Sequence, residues 1–457
     1  MKSISGIRGT IGGRPEENLT PVDVVKFAAA FGMWVLARKG KKVVIGRDAR
    51  LSGAMVSALV RETLLALGLD VTDLGLSTTP TVEIAVPLEK AGGGIIITAS
   101  HNPAEWNALK LLNEKGEFIS AHDGKAVLQL AEQENFLFAP AGRTGKYVFK
   151  DHYLNKHIDR IVKNKWVDAK AIARARLKIA VDAVNSTGGI AVPLLLKKLG
   201  VKNIVLLNGA PTGKFAHNPE PLPEHIGQLC RTVKKEKCHL GIVVDPDVDR
   251  LALVQEDGKP FGEEYTLVAV ADYILRKKKG NSVSNLSSTR ALRDITEKAG
   301  GTYTASAVGE VNVVEMMKKT NAIIGGEGNG GVIFPELHYG RDALIGIALF
   351  LSHLARTGLK ASELRKTYPD YYISKNKIEL SPQINTDAVL ERIKLVYATQ
   401  KIITTDGVKI EFEQSREWVH LRKSNTEPII RIYAESTSQR RADALAEKIM
   451  QTIQELA

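Results

Sequence analysis

The sequence predicts an α/β protein in which three similar α/β units are followed by a smaller α+β domain. Short apolar runs of strand length alternate with helical stretches, a pattern typical of mostly parallel sheets covered by helices. After about Tyr368 the pattern changes to several short strands and one terminal amphipathic helix. A chain of 457 residues is long enough for about three or four domains. We expect domains at residues 1–150, 151–256, 257–367 and 368–457.

Capping residues mark the first helix. Thr20 can cap the helix, Pro21 suits its first position, and Asp23 faces the positive end of the helix dipole. The helix should therefore begin at residue 21 and run towards Arg38.

Polar residues directly follow several of the predicted strands. The predicted strands cover residues 43–45, 94–98, 178–181, 240–244 and 322–324. The polar residues beyond them include Arg47, Asp48, Ser100, His101, Asp182 and Asp245. Because ligands of open α/β sheets bind beyond the carboxyl ends of the strands, these positions are the first candidates for chemistry.

The chain is basic, with a formal net charge of +12 and a pI near 9.4. Its lysines and arginines are scattered, and no aromatic-rich basic stripe or nucleic-acid motif is present. The charge therefore favours a small anionic substrate, such as a phosphorylated metabolite, over nucleic acid.

Cysteine content and hydropathy favour a cytoplasmic protein. Cys230 and Cys238 are the only cysteines and fit neither a zinc pattern nor a disulfide framework. The N-terminus lacks the apolar core of a signal peptide. The longest apolar stretch, residues 27–37, is about half the length that spans a bilayer. We therefore expect no membrane partner.

Three carboxylates at alternate positions follow the strand at 240–244: Asp245, Asp247 and Asp249. Like charges this close repel unless a cation neutralises them, and oxygen-only ligands suit a hard ion such as Mg²⁺. The alternative is a solvated acidic turn. An EF-hand would need Gly where Arg250 stands, and a haloacid-dehalogenase-type motif would need Thr in place of Asp249. The spacing therefore favours a magnesium loop.

Ser100 lies at the exit of the strand at 94–98, where we expect an exposed hydroxyl. His101 adds a titratable neighbour, and Lys110 is a candidate proton shuttle or phosphate contact. The alternatives are a capping serine and a surface lysine. A serine hydrolase is disfavoured because no Gly-x-Ser-x-Gly elbow surrounds Ser100.

Two turns carry groups suited to a sugar phosphate. Residues 326–331 match Gly-x-Gly-x-x-Gly, but a strand-like run follows, which excludes a dinucleotide site. Glu327 and Asn329 in this turn suit adjacent sugar hydroxyls. Residues 422–428, with Arg431 beyond them, combine guanidinium, hydroxyl and amide groups and suit a phosphate. Plain hairpin turns are the alternative for both segments, and no Walker motif is present.

Taken together, these segments resemble the motifs of the α-D-phosphohexomutase superfamily, in the family's order along the chain. Residues 98–103 are similar to the phosphoserine loop, and 245–250 to the magnesium loop. Residues 326–331 resemble the sugar-binding loop of one branch, and 422–428 the phosphate-binding loop of the last domain. Further similar segments are residues 6–9, 46–48 and 75–80. The resemblance spans essentially the whole chain.

The resemblance implies an isomerase with four domains around a central cleft. Ser100 would carry the phosphoryl group, and one Mg²⁺ would lie between Asp245, Asp247, Asp249 and a phosphoserine oxygen. Hexose 1,6-bisphosphate would be both intermediate and activator. The residues implied in charge stabilisation or proton transfer are Arg8, Lys110 and Arg250. The residues implied in sugar and phosphate binding are Glu327, Asn329, Arg422, Ser424, Asn425 and Thr426.

The chain departs from the commoner family pattern at three positions. Gly331 stands where a His is frequent, Val311 where a Lys or Arg is frequent, and Ala343 where a Gly follows the Asp. His338 and Arg341 are the candidates to replace the missing donor. These changes concern substrate choice and leave the type of reaction unchanged.

The sequence motifs favour more than one sugar for the substrate, and they leave the oligomeric state open. Glu-x-Asn-Gly-Gly resembles phosphoglucosamine mutases, whereas Ser-Asn-Thr-Glu-Pro is closer to phosphomannomutase/phosphoglucomutase enzymes. We expect glucosamine phosphate as the substrate and a monomer or dimer as the assembly. A non-catalytic sugar-phosphate binder and a phosphatase are the competing functions, and the intact Ser100 and acidic triad argue against the binder.

Overall fold

A computed structural model of the chain describes residues 2–3, 6–379, 381, 385–423 and 429–456. The chain forms two compact units. The first consists of Met1–Tyr273 and Asn329–Leu364, and the second of Ile274–Gly328 and Arg365–Ala457.

The first sheet has seven strands. They are β1 (Lys2–Ser3), β2 (Gly6–Thr10), β3 (Lys42–Arg47), β4 (Asp70–Leu76), β5 (Gly93–Ile97), β6 (Trp106–Leu112) and β7 (Tyr147–Phe149). Their order is β1-β2-β6-β5-β3-β4-β7. Strands β5, β3, β4 and β7 pair in parallel, whereas β1, β2 and β6 make antiparallel pairs. The helices of this part are α1 (Pro21–Ala37), α2 (Gly53–Ala66), α3 (Thr79–Leu88) and α4 (Ala121–Gln133).

The second sheet has four strands. They are β8 (Lys178–Asp182), β9 (Asn203–Leu207), β10 (Leu240–Val244) and β11 (Leu251–Gln255), in the order β11-β10-β8-β9. Only the β10–β11 pair is antiparallel in this sheet. The helices are α5 (Tyr153–Val162), α6 (Ala169–Ala175), α7 (Gly188–Lys198) and α8 (Gly227–Lys235).

The next part of the chain contributes to both units. Its strands are β12 (Asn281–Asn285), β13 (Tyr303–Ser306), β14 (Ala322–Glu327) and β15 (Gly331–Ile333). Its helices are α9 (Glu263–Leu275), α10 (Ala291–Lys298), α11 (Glu310–Thr320), α12 (Ala343–Thr357) and α13 (Ala361–Arg365). Strand β12 pairs in parallel with β13 and β14 in the second unit, while β15 and α12 belong to the first.

The last part forms a five-stranded antiparallel sheet in the second unit. Its strands are β16 (Tyr372–Glu379), β17 (Lys401–Ile403), β18 (Val408–Phe412), β19 (Glu417–Lys423) and β20 (Ile429–Ser436), in the order β16-β20-β19-β18-β17. Its helices are α14 (Thr386–Val396) and α15 (Gln439–Leu456). Three mixed α/β sheets, whose strand pairs are mostly parallel when taken together, and a smaller α+β part confirm the predicted fold class.

The start of α1 shows how closely the local sequence specifies its element. Thr20 accepts a hydrogen bond from the Asp23 amide, Asp23 reaches back to the Thr20 amide, and Pro21 is the first helical residue. The helix buries Phe27 and Phe31 against the first sheet. Each fully buried side chain of this kind stabilises the fold by about 1.5–3 kcal/mol. The predicted capping residues and helix are confirmed.

Among the helices of these described ranges, none combines the length and the apolar character that crossing a bilayer requires.

Candidate active site

The acidic residues lie on a tight loop that joins β10 to β11. The carboxylate of Asp245 accepts hydrogen bonds of 3.1 Å from the amides of Asp249 and Arg250, which folds the loop back on itself. The Pro246 carbonyl accepts hydrogen bonds from the hydroxyls of Ser186 and Thr187, at 2.7 and 2.8 Å. The loop is therefore held from both sides by side chains and backbone.

Two residues of the site adopt left-handed backbone conformations that non-glycine residues rarely take. Ser100 has φ of 49° and Val248, in the acidic loop, has φ of 62°. Such strain costs on the order of 1–3 kcal/mol and persists only where the surroundings impose it, commonly at functional sites.

The three carboxylates are completely buried, which excludes the solvated acidic turn. Each of Asp245, Asp247 and Asp249 offers one oxygen, and these oxygens lie within 4.8 Å of one another. Burial, followed by the charges of Asp249 and Asp247, raises the pKa of Asp245 well above its usual value. Burial opposes the ionisation of Asp249, but the charges of Arg341 and Lys110 outweigh it and lower its pKa. The three carboxylates therefore repel one another strongly when they are ionised.

A divalent cation fits this cluster. One carboxylate oxygen of Asp247 and one of Asp249 are buried without any hydrogen-bond donor, an arrangement that is costly unless a cation satisfies them. The donors are all carboxylate oxygens, which Mg²⁺ prefers. The residues present therefore suit the metal that the sequence predicts.

Ser100 lies beside this cluster. Its Oγ donates a hydrogen bond of 2.6 Å to Asp245, a residue 145 positions away in the sequence. Ser100 is only 5% exposed, so the expectation of an exposed hydroxyl was wrong. The acidic loop covers the strand exit on which Ser100 stands, and this long-range contact is invisible in the local sequence.

A buried arginine holds the Ser100 loop. Arg50 donates hydrogen bonds to the carbonyl oxygens of Ser100 and Asn102, both at 2.6 Å. Its other terminal nitrogen donates to the carbonyls of Pro103 and Trp106, at 2.5 and 2.9 Å. Sequence reasoning missed Arg50, because its partners are backbone carbonyls that leave no signal in the sequence.

Asp48 balances the charge of Arg50. It accepts a hydrogen bond of 3.1 Å from the Arg50 Nε and one of 2.7 Å from the Thr98 hydroxyl. The Thr98 hydroxyl in turn accepts a hydrogen bond of 2.9 Å from the Ser100 amide. Asp48 is fully buried. The polar residues that follow β3 therefore support the loop that follows β5.

Lys110 reaches the acidic loop from β6. Its Nζ donates to Asp247 at 2.7 Å and lies 3.3 Å from Asp249. Burial lowers its pKa, but the two carboxylates outweigh burial and raise it above the usual lysine value. Thr79, at the start of α3, also donates to Asp247, at 2.6 Å. Lys110 is buried and permanently charged, which excludes the surface-lysine alternative.

His101 follows Ser100 and stays neutral. Its Nδ1 lies 3.4 Å from the Ser100 Oγ, and its Nε2 lies 3.7 Å from Glu220. Burial, and then the positive charge of Arg250, lower the pKa of His101 to about 2. A neutral imidazole is therefore next to the serine hydroxyl throughout the physiological pH range.

Arg8 and Arg250 flank the Ser100 loop. Arg8, on β2, donates to the Asn102 side chain at 3.3 Å. Burial, and then the charges of Arg250 and Arg341, lower its pKa. Arg250 donates to Glu220 at 3.0 Å. Both cations predicted for charge stabilisation thus belong to the surroundings of Ser100.

Arg341 joins the site from the segment before α12. Its guanidinium donates to Asp249 at 2.7 Å, and the residue is only 8% exposed. From the sequence, Arg341 is only one of two candidates to replace a missing donor.

A second buried polar cluster lies next to this segment. Asp342 accepts hydrogen bonds of 2.9 and 3.2 Å from His157 and His338, and the other ring nitrogen of His338 lies 3.2 Å from Glu83. Burial lowers the pKa of His338, but Asp342 and Glu83 outweigh it and raise it to about 10. The Ala343 amide donates to the Val248 carbonyl at 3.2 Å, which connects this cluster to the acidic loop.

The second unit contains the predicted ligands Glu327 and Arg422. The Glu327 carboxylate accepts hydrogen bonds from the Asn285 side chain at 2.9 Å and from the Gly309 amide at 3.1 Å. The preceding amide, that of Val308, donates to the Asp406 carboxylate at 2.9 Å. Arg422 forms an ion pair with the Asp406 carboxylate at 3.0 Å. Glu327 and Arg422 are therefore linked through the 308–309 turn and Asp406.

The other residues predicted to bind the substrate lie in different surroundings. Asn329, in the first unit, accepts a hydrogen bond of 3.2 Å from the Gly331 amide and so stabilises its own turn. Arg431 lies opposite Arg422 in the β19–β20 pair and is exposed. The predictions for Ser424, Asn425 and Thr426 lie outside the described residues.

Comparison with known proteins agrees with this geometry. Models of the phosphoglucomutase/phosphomannomutase alpha/beta/alpha domains I, II and III match residues 2–138, 155–258 and 262–372, and the model of the C-terminal domain matches residues 376–452. The chain therefore belongs to the phosphoglucomutase/phosphomannomutase family, within the α-D-phosphohexomutase superfamily. It is a phosphohexomutase, an isomerase, as the sequence predicted.

Individual relatives match over nearly the whole chain. A phosphoglucomutase/phosphomannomutase of Thermococcus kodakarensis is 36% identical over 443 residues, covering 95% of each protein. A probable phosphoglucosamine mutase of Pyrococcus abyssi is 34% identical, covering 97% of this chain and 95% of the relative. The crystal structure of a family protein from Burkholderia thailandensis has a TM-score of 0.85 and 26% identity, covering 100% of this chain and 98% of that structure.

Proposed function

We propose that this enzyme interconverts hexose 6-phosphates and hexose 1-phosphates through a phosphorylated Ser100 and a hexose 1,6-bisphosphate, with glucosamine phosphate as the preferred substrate. The observation that carries the proposal is the hydrogen bond of 2.6 Å between the Ser100 Oγ and Asp245, a member of the buried acidic triad. A hydroxyl beside three buried carboxylates is suited to carry a phosphoryl group only when a cation balances the charge.

Asp245, Asp247, Asp249 and a phosphoserine oxygen would hold one Mg²⁺ in each active site. When bound, the ion would supply charge neutralisation for the transferring phosphoryl group. The donor-free oxygens of Asp247 and Asp249 support this assignment.

The reaction consists of two phosphoryl transfers in opposite directions. In the first, the bond between phosphorus and the Ser100 Oγ breaks while a bond to the free hydroxyl of the hexose monophosphate forms. The hydroxyl proton leaves its oxygen, and the Ser100 Oγ gains a proton. In the second, the Ser100 Oγ attacks the other phosphate of the bisphosphate while the bond from that phosphorus to the sugar oxygen breaks. The serine hydroxyl loses its proton and the sugar oxygen gains one, which regenerates phosphoserine and releases the isomeric monophosphate. Hexose 1,6-bisphosphate would also prime an unphosphorylated enzyme.

The polar and charged residues around Ser100 would each have a separate role in these transfers. His101, neutral and 3.4 Å from the Ser100 Oγ, would contact the serine oxygen as an uncharged hydrogen-bonding partner. Lys110 has a raised pKa and is therefore suited to stabilise negative charge as a hydrogen-bond donor. Arg8 and Arg250 would stabilise the charge that develops on the phosphoryl group.

The predicted sugar and phosphate ligands would hold the substrate. Glu327 and Asn329 would bind sugar hydroxyls. Hydrogen bonds from Asn285 and Gly309 fix the position of the Glu327 carboxylate, which supports this role for Glu327. The phosphate that does not react would be bound by Arg422, Ser424, Asn425, Thr426 and Arg431. We propose four domains with boundaries near residues 150, 256 and 367.

Two classes of substrate are the leading candidates. The Glu-x-Asn-Gly-Gly turn and the name of the Pyrococcus abyssi relative favour glucosamine phosphate. The Thermococcus kodakarensis relative and the Ser-Asn-Thr-Glu-Pro segment favour mannose or glucose phosphate.

One experiment tests reaction and substrate together. The wild type and Ser100→Ala are assayed with glucosamine 6-phosphate, mannose 1-phosphate and glucose 1-phosphate, and intact mass is measured after incubation with hexose 1,6-bisphosphate. We expect the wild type to gain one phosphate and to isomerise glucosamine 6-phosphate with the highest kcat/KM. Ser100→Ala should show neither the added mass nor turnover, because it removes the hydroxyl that donates to Asp245.

The same measurements identify the competing functions. Release of inorganic phosphate as fast as isomerisation would indicate a phosphatase. A wild type that binds sugar phosphates without gaining mass or turning over would be a binder, and the proposal would fail. Faster turnover of mannose or glucose 1-phosphate would assign the other substrate.

A further inference from the structure

The segment between β9 and α8, residues 208–226, packs on the residues that support the Ser100 loop. Gly213 lies against the backbone of Ala49, since a Cβ at position 213 would be 2.0 Å from the Ala49 carbonyl oxygen. The guanidinium carbon of Arg50, which donates to the Ser100 carbonyl, lies 5.0 Å from the centroid of the Phe215 ring. A change in the position of this segment is therefore felt at the Ser100 loop.

Asp182 and His217 anchor this segment to the second sheet. Asp182 is the last residue of β8 and is fully buried. One of its oxygens accepts hydrogen bonds from the Asn208 side chain at 3.0 Å and the Val184 amide at 3.1 Å, and the other lies 3.1 Å from the Nε2 of His217. The sequence marks Asp182 as a candidate for chemistry, and these contacts show that it holds the segment instead.

Both ring nitrogens of His217 face hydrogen-bond acceptors. Its Nε2 lies 3.1 Å from Asp182, and its Nδ1 lies 2.8 Å from the carbonyl oxygen of Asn218. A neutral imidazole carries one N–H and can donate to only one of these acceptors, so the complete anchor requires the imidazolium form. The hydrogen bond to Asp182 outweighs burial and raises the pKa of His217 above its usual value.

Glu220 lies on the anchored segment and reaches two residues beside Ser100. Its Oε1 accepts a hydrogen bond of 3.0 Å from the Arg250 guanidinium and lies 3.7 Å from the Nε2 of His101. The Nδ1 of His101 is in turn 3.4 Å from the Ser100 Oγ. The Glu220 amide donates to the Asn218 side chain at 3.0 Å, which fixes the main chain at this point. One carboxylate oxygen therefore ties the Arg250 guanidinium to the surroundings of the serine oxygen.

Arg250 needs such a partner to keep one direction. Its amide is fixed by the hydrogen bond of 3.1 Å to Asp245, but several rotatable bonds separate that amide from the guanidinium. A charge-assisted hydrogen bond to a carboxylate removes this freedom. The Nε of Arg250 is buried and has no hydrogen-bond acceptor among the residues that the structure describes, as expected of a group that would meet a phosphoryl oxygen.

We propose that Glu220 is a positioning residue for phosphoryl transfer, which holds the Arg250 guanidinium beside the Ser100 loop, and that the Asp182–His217 pair anchors the segment that carries it. The inference rests on the phosphoserine mechanism proposed above, in which Arg250 stabilises the charge on the phosphoryl group. Glu220 acts through Arg250 and takes no part in the transfer itself.

Single substitutions test the positioning role. Glu220→Ala should lower kcat by about 10–10²-fold with little change in KM, because a displaced guanidinium stabilises the transition state less well. Glu220→Gln keeps an oxygen acceptor for Arg250 but loses the charge, so its kcat should fall between those of Glu220→Ala and the wild type. Phosphorylation of Ser100 by hexose 1,6-bisphosphate, followed by intact mass, should slow in Glu220→Ala by the same factor as kcat.

The matched control is Glu224→Ala. Glu224 lies on the same segment and is exposed. We expect its kcat, its rate of Ser100 phosphorylation and its Tm to equal those of the wild type. If Glu220 had a merely structural role, Glu220→Ala would lower Tm while the folded protein kept the wild-type rates.

A double substitution tests whether Glu220 acts through Arg250. Arg250→Ala alone should lower kcat by about 10²–10³-fold, the usual cost of losing a donor to developing charge. Adding Glu220→Ala to Arg250→Ala should lower kcat by less than about threefold further, because no guanidinium is left to position.

The anchor predicts a pH dependence. Among the residues that the structure describes, Asp182 is the only one whose charge acts on His217. The ratio of the wild-type kcat to that of His217→Ala should be largest below about pH 6.5, where the imidazolium is complete, and should fall as the pH rises through the raised pKa of His217. This ratio cancels the titrations that the two proteins share. In the Glu220→Ala background the same ratio should not change with pH, because the anchor acts through Glu220.

Three results would overturn the inference. Folded Glu220→Ala with kcat and phosphorylation rates within about threefold of the wild type would refute the positioning role. Additive losses in the double variant would show that Glu220 acts independently of Arg250, and a pH-independent ratio in the otherwise wild-type protein would refute the anchor. A wild type without phosphoserine or isomerase activity would instead refute the proposed function itself, so the two failures are distinguishable.

Discussion

At the scale of single residues, Arg50 is the most consequential side chain that the sequence did not reveal. Four backbone carbonyls of residues 100–106 accept its hydrogen bonds, and Asp48 is its only carboxylate partner among the described residues. Both side chains are fully buried. The hydrogen bonds from Arg50, 50 positions earlier in the sequence, therefore stabilise the left-handed conformation of Ser100.

Arg50→Ala should destabilise the protein by about 3–5 kcal/mol, because it leaves Asp48 buried without its cation and removes the hydrogen bonds that Arg50 donates to four backbone carbonyls. Urea unfolding measures this change. Arg38→Ala is the control, since Arg38 pairs with Asp123 at 3.3 Å while its side chain is 47% exposed; it should cost less than about 1 kcal/mol. A loss below 1 kcal/mol for Arg50→Ala would show that other contacts hold the loop.

The comparison of Arg50 with Asp245, Asp247 and Asp249 shows what residue patterns can predict. Three acids at alternate positions imply a cation because their mutual repulsion follows from spacing alone. Arg50 instead donates to backbone carbonyls, which every residue type supplies, so it leaves no pattern of residue types. Burial of Ser100 likewise depends on a partner 145 positions away.

At the scale of elements, helix ends and buried strands were the features most readily predicted. The cap of α1 follows from Thr20, Pro21 and Asp23, which interact only with one another and with local backbone. Strand β10 covers the predicted residues 240–244. Strand β3 extends beyond its predicted 43–45 to Lys42–Arg47, because sheet pairing, rather than side-chain polarity, determines where a strand ends.

Thr20→Ala should destabilise the first unit by about 1 kcal/mol, the usual cost of losing an N-cap hydroxyl. Thr20 also donates from its hydroxyl to Asp23, so the substitution removes two hydrogen bonds of the cap, whereas the bond from the backbone amide of residue 20 to Asp23 remains. Thermal unfolding followed by circular dichroism measures the effect. Val22→Ala, at a position on the same helix that is 63% exposed, is the control and should leave Tm nearly unchanged. Equal Tm values for the two variants would contradict a stabilising cap.

At the scale of the whole molecule, the sequence predicted three α/β parts and a smaller α+β part, since the alternation of strands and helices changes after about residue 368. It did not predict two compact units that each combine separate stretches of the chain. Strands β14 and β15 are adjacent in sequence, yet they belong to different units. Such a division depends on which contacts form between distant segments, and local periodicity carries no information about it.

The second unit should respond to pH through one buried carboxyl group. Glu435, on β20, is fully buried and accepts hydrogen bonds from the Trp418 indole at 2.7 Å and the Arg290 amide at 2.9 Å. Burial, only partly offset by these donors and Lys409, raises its pKa from 4.5 to about 7. The folded state therefore keeps this proton over a pH range in which the unfolded state has lost it.

The sign of the effect follows from proton linkage. Between about pH 4.5 and 7 the folded protein binds more protons at Glu435 than the unfolded chain, so stability from this group falls as pH rises. Glu435→Gln should remove that slope and stabilise the second unit at pH 8 by on the order of 1–3 kcal/mol. Hydrogen exchange of peptides from β20, measured at pH values corrected for intrinsic rates, reports the local change. Glu447→Gln, exposed on α15, is the control and should keep the wild-type slope. If Glu435→Gln keeps the wild-type slope, the carboxyl group is already ionised in the fold, and the donors around it must then outweigh its burial.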